Sequence, residues 1–135
     1  MTTTVPTKTA EIAEGVRATL AAYCHALDDG RTDDLVALFA AEGISVLPGQ
    51  EPVVGTEALR AYYETVKPAG PQRHVVGNTL VTGSGAEAEA ISDLVFLKPG
   101  AAGWTVVLVG RYEDRLRLRD GRWLFTRRTL TIIPA

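Results

Sequence analysis

The hydrophobic period of this chain changes once, near Pro71, and that change limits the folds open to it. Before Pro71 apolar residues recur every three to four positions, the spacing of a helix with one buried face. From Thr9 to Leu27 the stripe is Ile12, Val16, Leu20, Tyr23 and Leu27, and Gly30 supplies a helix stop. Thr32-Asp33-Asp34 reads as a cap with an acidic first turn, opening a short second helix through Leu35, Leu38 and Phe39. ISVLPG (44–49) reads as a strand and turn, and EPVVG as a brief extended segment. Thr56 is expected to cap a third helix with Leu59, Tyr62, Tyr63 and Val66 on one face, ended by Lys67-Pro68.

After Pro71 the period is two. Strands are expected near 72–82, 88–98, 103–118 and 122–133, with turns at Gly83 to Gly85, Pro99 to Gly103 and Asp120-Gly121. In RLRLRDGRW, Leu116 and Leu118 take one face and Arg115, Arg117 and Arg119 the other. That arginine run reads as the solvated face of a strand. Helices first and long antiparallel strands second predict an α+β domain, with helices packed on one face of a curved sheet.

The 135 residues suffice for one domain, expected over 9–135 behind a leader at 1–8. A net charge of −2 and a pI near 5.7 argue against a nucleic-acid partner. The N-terminus lacks the apolar core of a signal peptide, and no apolar run is long enough to cross a bilayer. No membrane partner and a cytoplasmic location are therefore expected. A single cysteine, Cys24, excludes an internal disulfide and a cysteine-based zinc site. Two histidines 49 positions apart do not make a metal site, VTGSGAE lacks a phosphate-loop lysine, and no serine sits in a nucleophile elbow. No metal or cofactor is expected, which leaves acid–base chemistry.

His74 stands in PQRHVVGNTL, where alternation groups Gln72, His74, Val76, Asn78 and Leu80 on one face. A histidine and an amide separated by valine suit the wall of an apolar pocket. Taken alone, the strand favours the plainer reading of a half-buried histidine bonded to a backbone carbonyl. His25 lies opposite the buried stripe and is expected to face solvent without a role. Asp28 and Asp29 end the first helix, where the macrodipole disfavours negative charge. Asp28 falls on the flank of the stripe. A carboxylate reaching His74 would fix its tautomer and raise its basicity. Spacing alone does not show that the two meet.

The segments YCHALDDGRTDDLVALFA (23–40), GTEALRAYY (55–63), RHVVGN (73–78) and DGRWLFTRR (120–128) carry a family resemblance. The chain resembles the nuclear transport factor 2-like superfamily, in the SnoaL-like branch with polyketide cyclases, scytalone dehydratase and hexachlorocyclohexane dehydrochlorinase. The resemblance implies a cone of three helices closed on a strongly bent, mainly antiparallel sheet around an apolar cavity. It also implies a pairing, with Asp28 matching an aspartate at the end of the first helix and His74 the histidine base that removes a proton from carbon. Tyr23 falls where such enzymes place another polar pocket residue, although the dehydrochlorinase has lysine there. Arg128 aligns with an arginine that stabilises negative charge. Strand parity through a two-residue turn instead puts Arg127 with Trp123 and Phe125, with Glu113 opposite Arg128 and Asp114 opposite Arg127. A bulge would reverse that parity.

These readings point to a cofactor-independent lyase of dehydratase type, or a related isomerase or cyclase, acting on a small hydrophobic or polyketide-like substrate. Tyr23, Asn78 and Arg128 are expected to steady developing charge, and Phe39, Tyr63, Val76 and Phe96 to line the cavity. The alternatives are an epoxide hydrolase or epoxide-opening cyclase on the same fold, and a non-catalytic ligand-binding or dimerisation module. Asp93 and Asp114 could supply acids for the former, but parity puts neither beside His74. A homodimer is the expected assembly.

Overall fold

A computed structural model describes residues 8–135, so the expected leader lies outside the described residues except for Lys8, which caps the first helix. Three helices, α1 (Thr9–Asp28), α2 (Thr32–Val36) and α3 (Thr56–Thr65), accompany six strands. The strands are β1 (Phe39–Val46), β2 (Val53–Val54), β3 (Arg73–Ser84), β4 (Glu87–Gly100), β5 (Gly103–Arg119) and β6 (Arg122–Ile132). They form one sheet in the order β2-β1-β6-β5-β4-β3. All neighbours are antiparallel except β1 and β6. The α+β reading therefore holds, with one parallel pair inside a mixed sheet. No described helix is long and apolar enough to cross a membrane.

The α1 stripe is buried as the period requires, and α1 crosses the concave face with Val16 and Leu20 against the sheet. Gly15 allows the closest approach, since a Cβ there would stand 2.5 Å from Trp123 Cδ1. Beside it the Thr19 hydroxyl donates to the Trp123 carbonyl at 2.6 Å. At the far end Gly30 adopts φ +69°, and the Arg31 amide closes back on the Ala26 carbonyl, a left-handed helix stop.

Several expectations need correction. Neither Thr32 nor Thr56 caps its helix; each is the first helical residue, behind Arg31 and Gly55. Val66 lies beyond the end of α3 and is exposed. Phe39 belongs to β1, because its backbone pairs with Phe125 of β6 and tertiary pairing outweighs the local helical period. On β3 the alternation fails at Asn78, whose φ of +52° marks a bulge between Gly77 and Leu80. Leu80 consequently turns outward, 71% exposed, while Thr79 and Val81 turn inward.

A second bulge decides β6. Leu116 pairs with Phe125 but Arg115 pairs with Arg127, so Thr126 is the extra residue. Its hydroxyl donates to the Arg115 carbonyl at 3.2 Å. Beyond it Asp114 faces Arg128, which corrects the pairing expected from a plain two-residue turn. Arg128 therefore points into the cone and Arg127 to solvent.

Candidate active site

The last turn of α1 and the first residues of β3 meet at one carboxylate. Asp28 Oδ2 accepts the backbone amide of His74 at 2.7 Å, and Oδ1 lies 2.6 Å from His74 Nδ1. The Gln72 side-chain amide donates to the same Oδ1 at 3.1 Å. Both side chains of the dyad are largely buried, 6% exposed for Asp28 and 12% for His74. These three bonds explain how an acid is tolerated at a helix C-terminus: local N–H donors offset the unfavourable dipole. An ionised carboxylate fixes Nδ1 as the protonated nitrogen and leaves Nε2 with its lone pair free. Burial pulls the His74 ring below its ordinary pKa, against the hydrogen bond and charge of Asp28, so the ring is neutral at pH 7.

The imidazole stacks on Phe96 with ring centroids 4.2 Å apart. Both line a cavity of about 440 Å³ at the mouth of the cone, with Tyr23, Tyr62, Tyr63 and Leu130 further around the wall. Inside, three hydroxyls form a chain: Ser45 Oγ lies 2.9 Å from the Tyr63 hydroxyl, which lies 2.8 Å from that of Tyr23. Burial raises the pKa of both tyrosines, so each stays a neutral donor. A wider groove of about 640 Å³ runs outside, between α1 and β3, and touches Asp28 and His74 from the other side. Its wall carries Arg17, His25 and Arg73; His25 is exposed, as its place on the helix requires.

Of the residues singled out from the sequence, Tyr23, Tyr63, His74 and Phe96 line the inner cavity, and Asp28 stands behind His74. The others lie elsewhere. Phe39 packs beneath Tyr23 and Tyr63 in the core, 5.1 Å from the Phe125 ring. Val76 faces the outer groove and packs on the core edge. The bulge turns Asn78 out to Asp93, to which its amide donates at 2.9 Å. Asp93 also accepts from Arg111 and is occupied on the outer face.

Arg128 is 1% exposed and does not reach the cavity lining. Its guanidinium lies 3.4 Å from the Tyr112 ring centre and 4.2 Å from that of Tyr23, with Asp114 Oδ1 3.1 Å from its Nε. Neither partner makes a well-formed hydrogen bond among the described residues. Burial raises the Asp114 carboxyl to about 6, although Arg128 pulls it down. Burial also opposes the Arg128 charge, but Asp114 and the facing tyrosines hold it above the ordinary arginine range.

Sequence reasoning missed Ser45, Tyr112 and the Asp114–Arg128 pair, and gave Gln72 no role. Ser45 did carry a signal, a polar residue between the β-branched Ile44 and Val46. Among the described residues no group of three or more His, Cys, Asp or Glu side chains converges as metal ligands would.

Comparison with known proteins agrees with this architecture. The family described as SnoaL-like domain matches residues 8–129. No curated protein matches the chain in sequence. A Mycobacterium tuberculosis protein of unknown function is similar at 27% identity, covering 93% of this chain and 73% of its own, with a TM-score of 0.85. An NTF2-like protein with a cystatin-like fold from Novosphingobium aromaticivorans is 22% identical, covering 93% and 84%, with a TM-score of 0.85. A candidate scytalone dehydratase from the same organism is 21% identical, covering 93% and 86%, with a TM-score of 0.82. The latter two likenesses concern the fold.

Proposed function

Because the chain belongs to the SnoaL-like domain family, we propose that it works as a cofactor-independent lyase of dehydratase type, or as a related isomerase or cyclase started by the same base. The observation that carries this reading is the 2.6 Å contact of Asp28 Oδ1 with His74 Nδ1 at the wall of an aromatic cavity. His74 Nε2 takes a proton from a carbon whose acidity a neighbouring carbonyl raises. The C–H electron pair becomes a new C=C bond as the C–O bond to the leaving group breaks. The imidazolium, held by Asp28, then gives its proton to the departing oxygen, so that water leaves and the dyad returns to its starting state. Ser45 donates to Tyr63, Tyr63 to Tyr23, and Tyr23 to the oxygen on which charge develops. Phe96 holds the ring of His74 in place and adds apolar surface to the cavity wall.

Proton abstraction can be tested apart from the loss of the leaving group. Small cyclic ketones and hydroxyketones are incubated with the protein in D₂O, and deuterium entering the α-carbon is followed by NMR. The expected result is exchange by the wild type and none by His74→Ala. Exchange that persists at wild-type rate in His74→Ala would overturn the proposal.

The homodimer expected from the sequence belongs to this proposal too. Val75, Trp104, Val106 and Val109 are exposed on the outer sheet face, a patch suited to a second copy. Light scattering on Val106→Glu should report a monomer where the wild type is dimeric; a wild-type monomer would remove this part.

A further inference from the structure

The charged groups that line the inner cavity are all of one sign, apart from the His74 ring itself. The lining includes Lys67 and Lys98 and no aspartate or glutamate among the described residues, although the whole chain carries a net charge of −2. Lys67 is spoken for, 2.9 Å from Glu64 on the surface. Lys98 has no ion-pair partner among the described residues, and its Nζ lies 5.5 Å from the centre of the Phe96 ring. The other face-to-face neighbour of Phe96 is His74. Imidazole, phenyl ring and ammonium thus form one row along the cavity wall. His74 pairs with Phe96 across the sheet and Lys98 stands two residues further along β4 on the same face, so both flank the Phe96 ring.

At the inner end the charges are balanced, with Asp114 Oδ1 3.1 Å from Arg128 Nε. The Arg128 guanidinium lies against the rings of Tyr23 and Tyr112, both of which line the cavity. The Asp28 carboxylate is consumed by His74 and Gln72. Lys98 is therefore the lining cation left without a counter-charge among the described residues, and a cation beside low-dielectric walls attracts an anion. A purely hydrocarbon ligand would leave the Lys98 ammonium unused.

We infer that the substrate is an aromatic or polycyclic carboxylate, its ring within the aromatic cavity and its carboxylate held at the mouth by Lys98. The inference rests on the proposed function only in taking the inner cavity as the reaction site. Lys98 is then a specificity-determining residue: it sets which end of the ligand enters first, and so which carbon lies beneath Nε2 of His74.

The experiment compares 2-naphthoate with its neutral isostere 2-naphthamide, using calorimetry for affinity and the NMR signals of the His74 ring for position. The wild type should bind the carboxylate about tenfold tighter at low salt, with the advantage shrinking as salt screens it. Lys98→Gln should abolish that preference while leaving naphthamide affinity and the melting temperature unchanged, since Lys98 is exposed. Equal affinities in the wild type, or a preference that survives Lys98→Gln, would overturn the inference and leave the proposed function standing. If neither compound binds or moves the His74 signals, both fall together.

Discussion

Asp28 holds His74 at two points, the backbone amide through Oδ2 and the ring through Oδ1. The amide bond anchors the start of β3 to the end of α1, and the ring bond sets the tautomer. One carboxylate therefore positions both the residue and its proton. This couples the dyad to the packing of α1 on β3, so its geometry is part of the fold rather than a late adjustment of side chains.

Replacing His74 by alanine removes the base proposed for the cavity, and turnover should drop by about 10²–10⁴-fold. Asp28→Asn keeps the shape but lets the ring choose the wrong tautomer, and a loss of similar order is expected. Steady-state rates on any substrate found by the exchange screen check both. Circular dichroism must show the fold intact. A fully active Asp28→Asn would remove the dyad from the mechanism.

The proton balance gives a pH prediction. Burial lowers the His74 pKa, so the base form is present above a midpoint lying below about 6.5, and kcat/KM falls as pH drops through that midpoint. Asp28 acts in the opposite direction, raising the pKa. Asp28→Asn should therefore move the midpoint further down. Imidazole nitrogen chemical shifts recorded across the acidic and neutral range read it directly, and a midpoint that rises in the variant contradicts the assignment.

The Asp114–Arg128 pair should behave asymmetrically toward mutation. Asp114→Asn leaves a guanidinium buried without its counter-charge and should cost about 3–5 kcal/mol. Asp114→Leu with Arg128→Met removes both charges and should be nearly neutral, because the desolvation of two ions disappears with their attraction. Urea denaturation of the two variants separates these cases. Equal losses would mean that the pair stabilises the fold outright.

Tyr63→Phe takes the central hydroxyl from the chain and leaves those of Ser45 and Tyr23 unpaired in the interior. A loss of about 1–3 kcal/mol is expected. If Tyr23 donates to the developing oxyanion, kcat should fall more than KM rises. Thermal melts and a kcat–KM comparison check the two parts separately.

Gly15→Ala sets two effects against each other. Helix propensity favours alanine by about 1 kcal/mol, but the new methyl would stand 2.5 Å from the Trp123 ring. Overpacking of a fixed indole costs about 1–3 kcal/mol, so the variant should be the less stable. A raised melting temperature would mean that Trp123 moves aside freely.

The sequence by itself determined the elements and the class. The change of period at Pro71 separates the helices from the four long strands, and those strands appear within a few residues of where alternation puts them. Alternation also separates Leu116 and Leu118 from the arginines, because a side-chain period of two is a local property of the backbone. Asp28 was legible as an acid at an unfavourable helix end, and His74 as a histidine among valines.

The tertiary structure decided where side chains point beyond each bulge and which of them meet. One extra residue at Thr126 carries Arg128 inward to Asp114, and one at Asn78 carries Leu80 outward. Neither bulge has a glycine at the inserted position, and each depends on the register of the neighbouring strand, which no local pattern encodes. The meeting of Asp28 and His74 across 46 residues is of the same kind. It requires α1 to lie along β3, and that packing is fixed by the stripe, by Gly15 against Trp123 and by the curvature of the whole sheet.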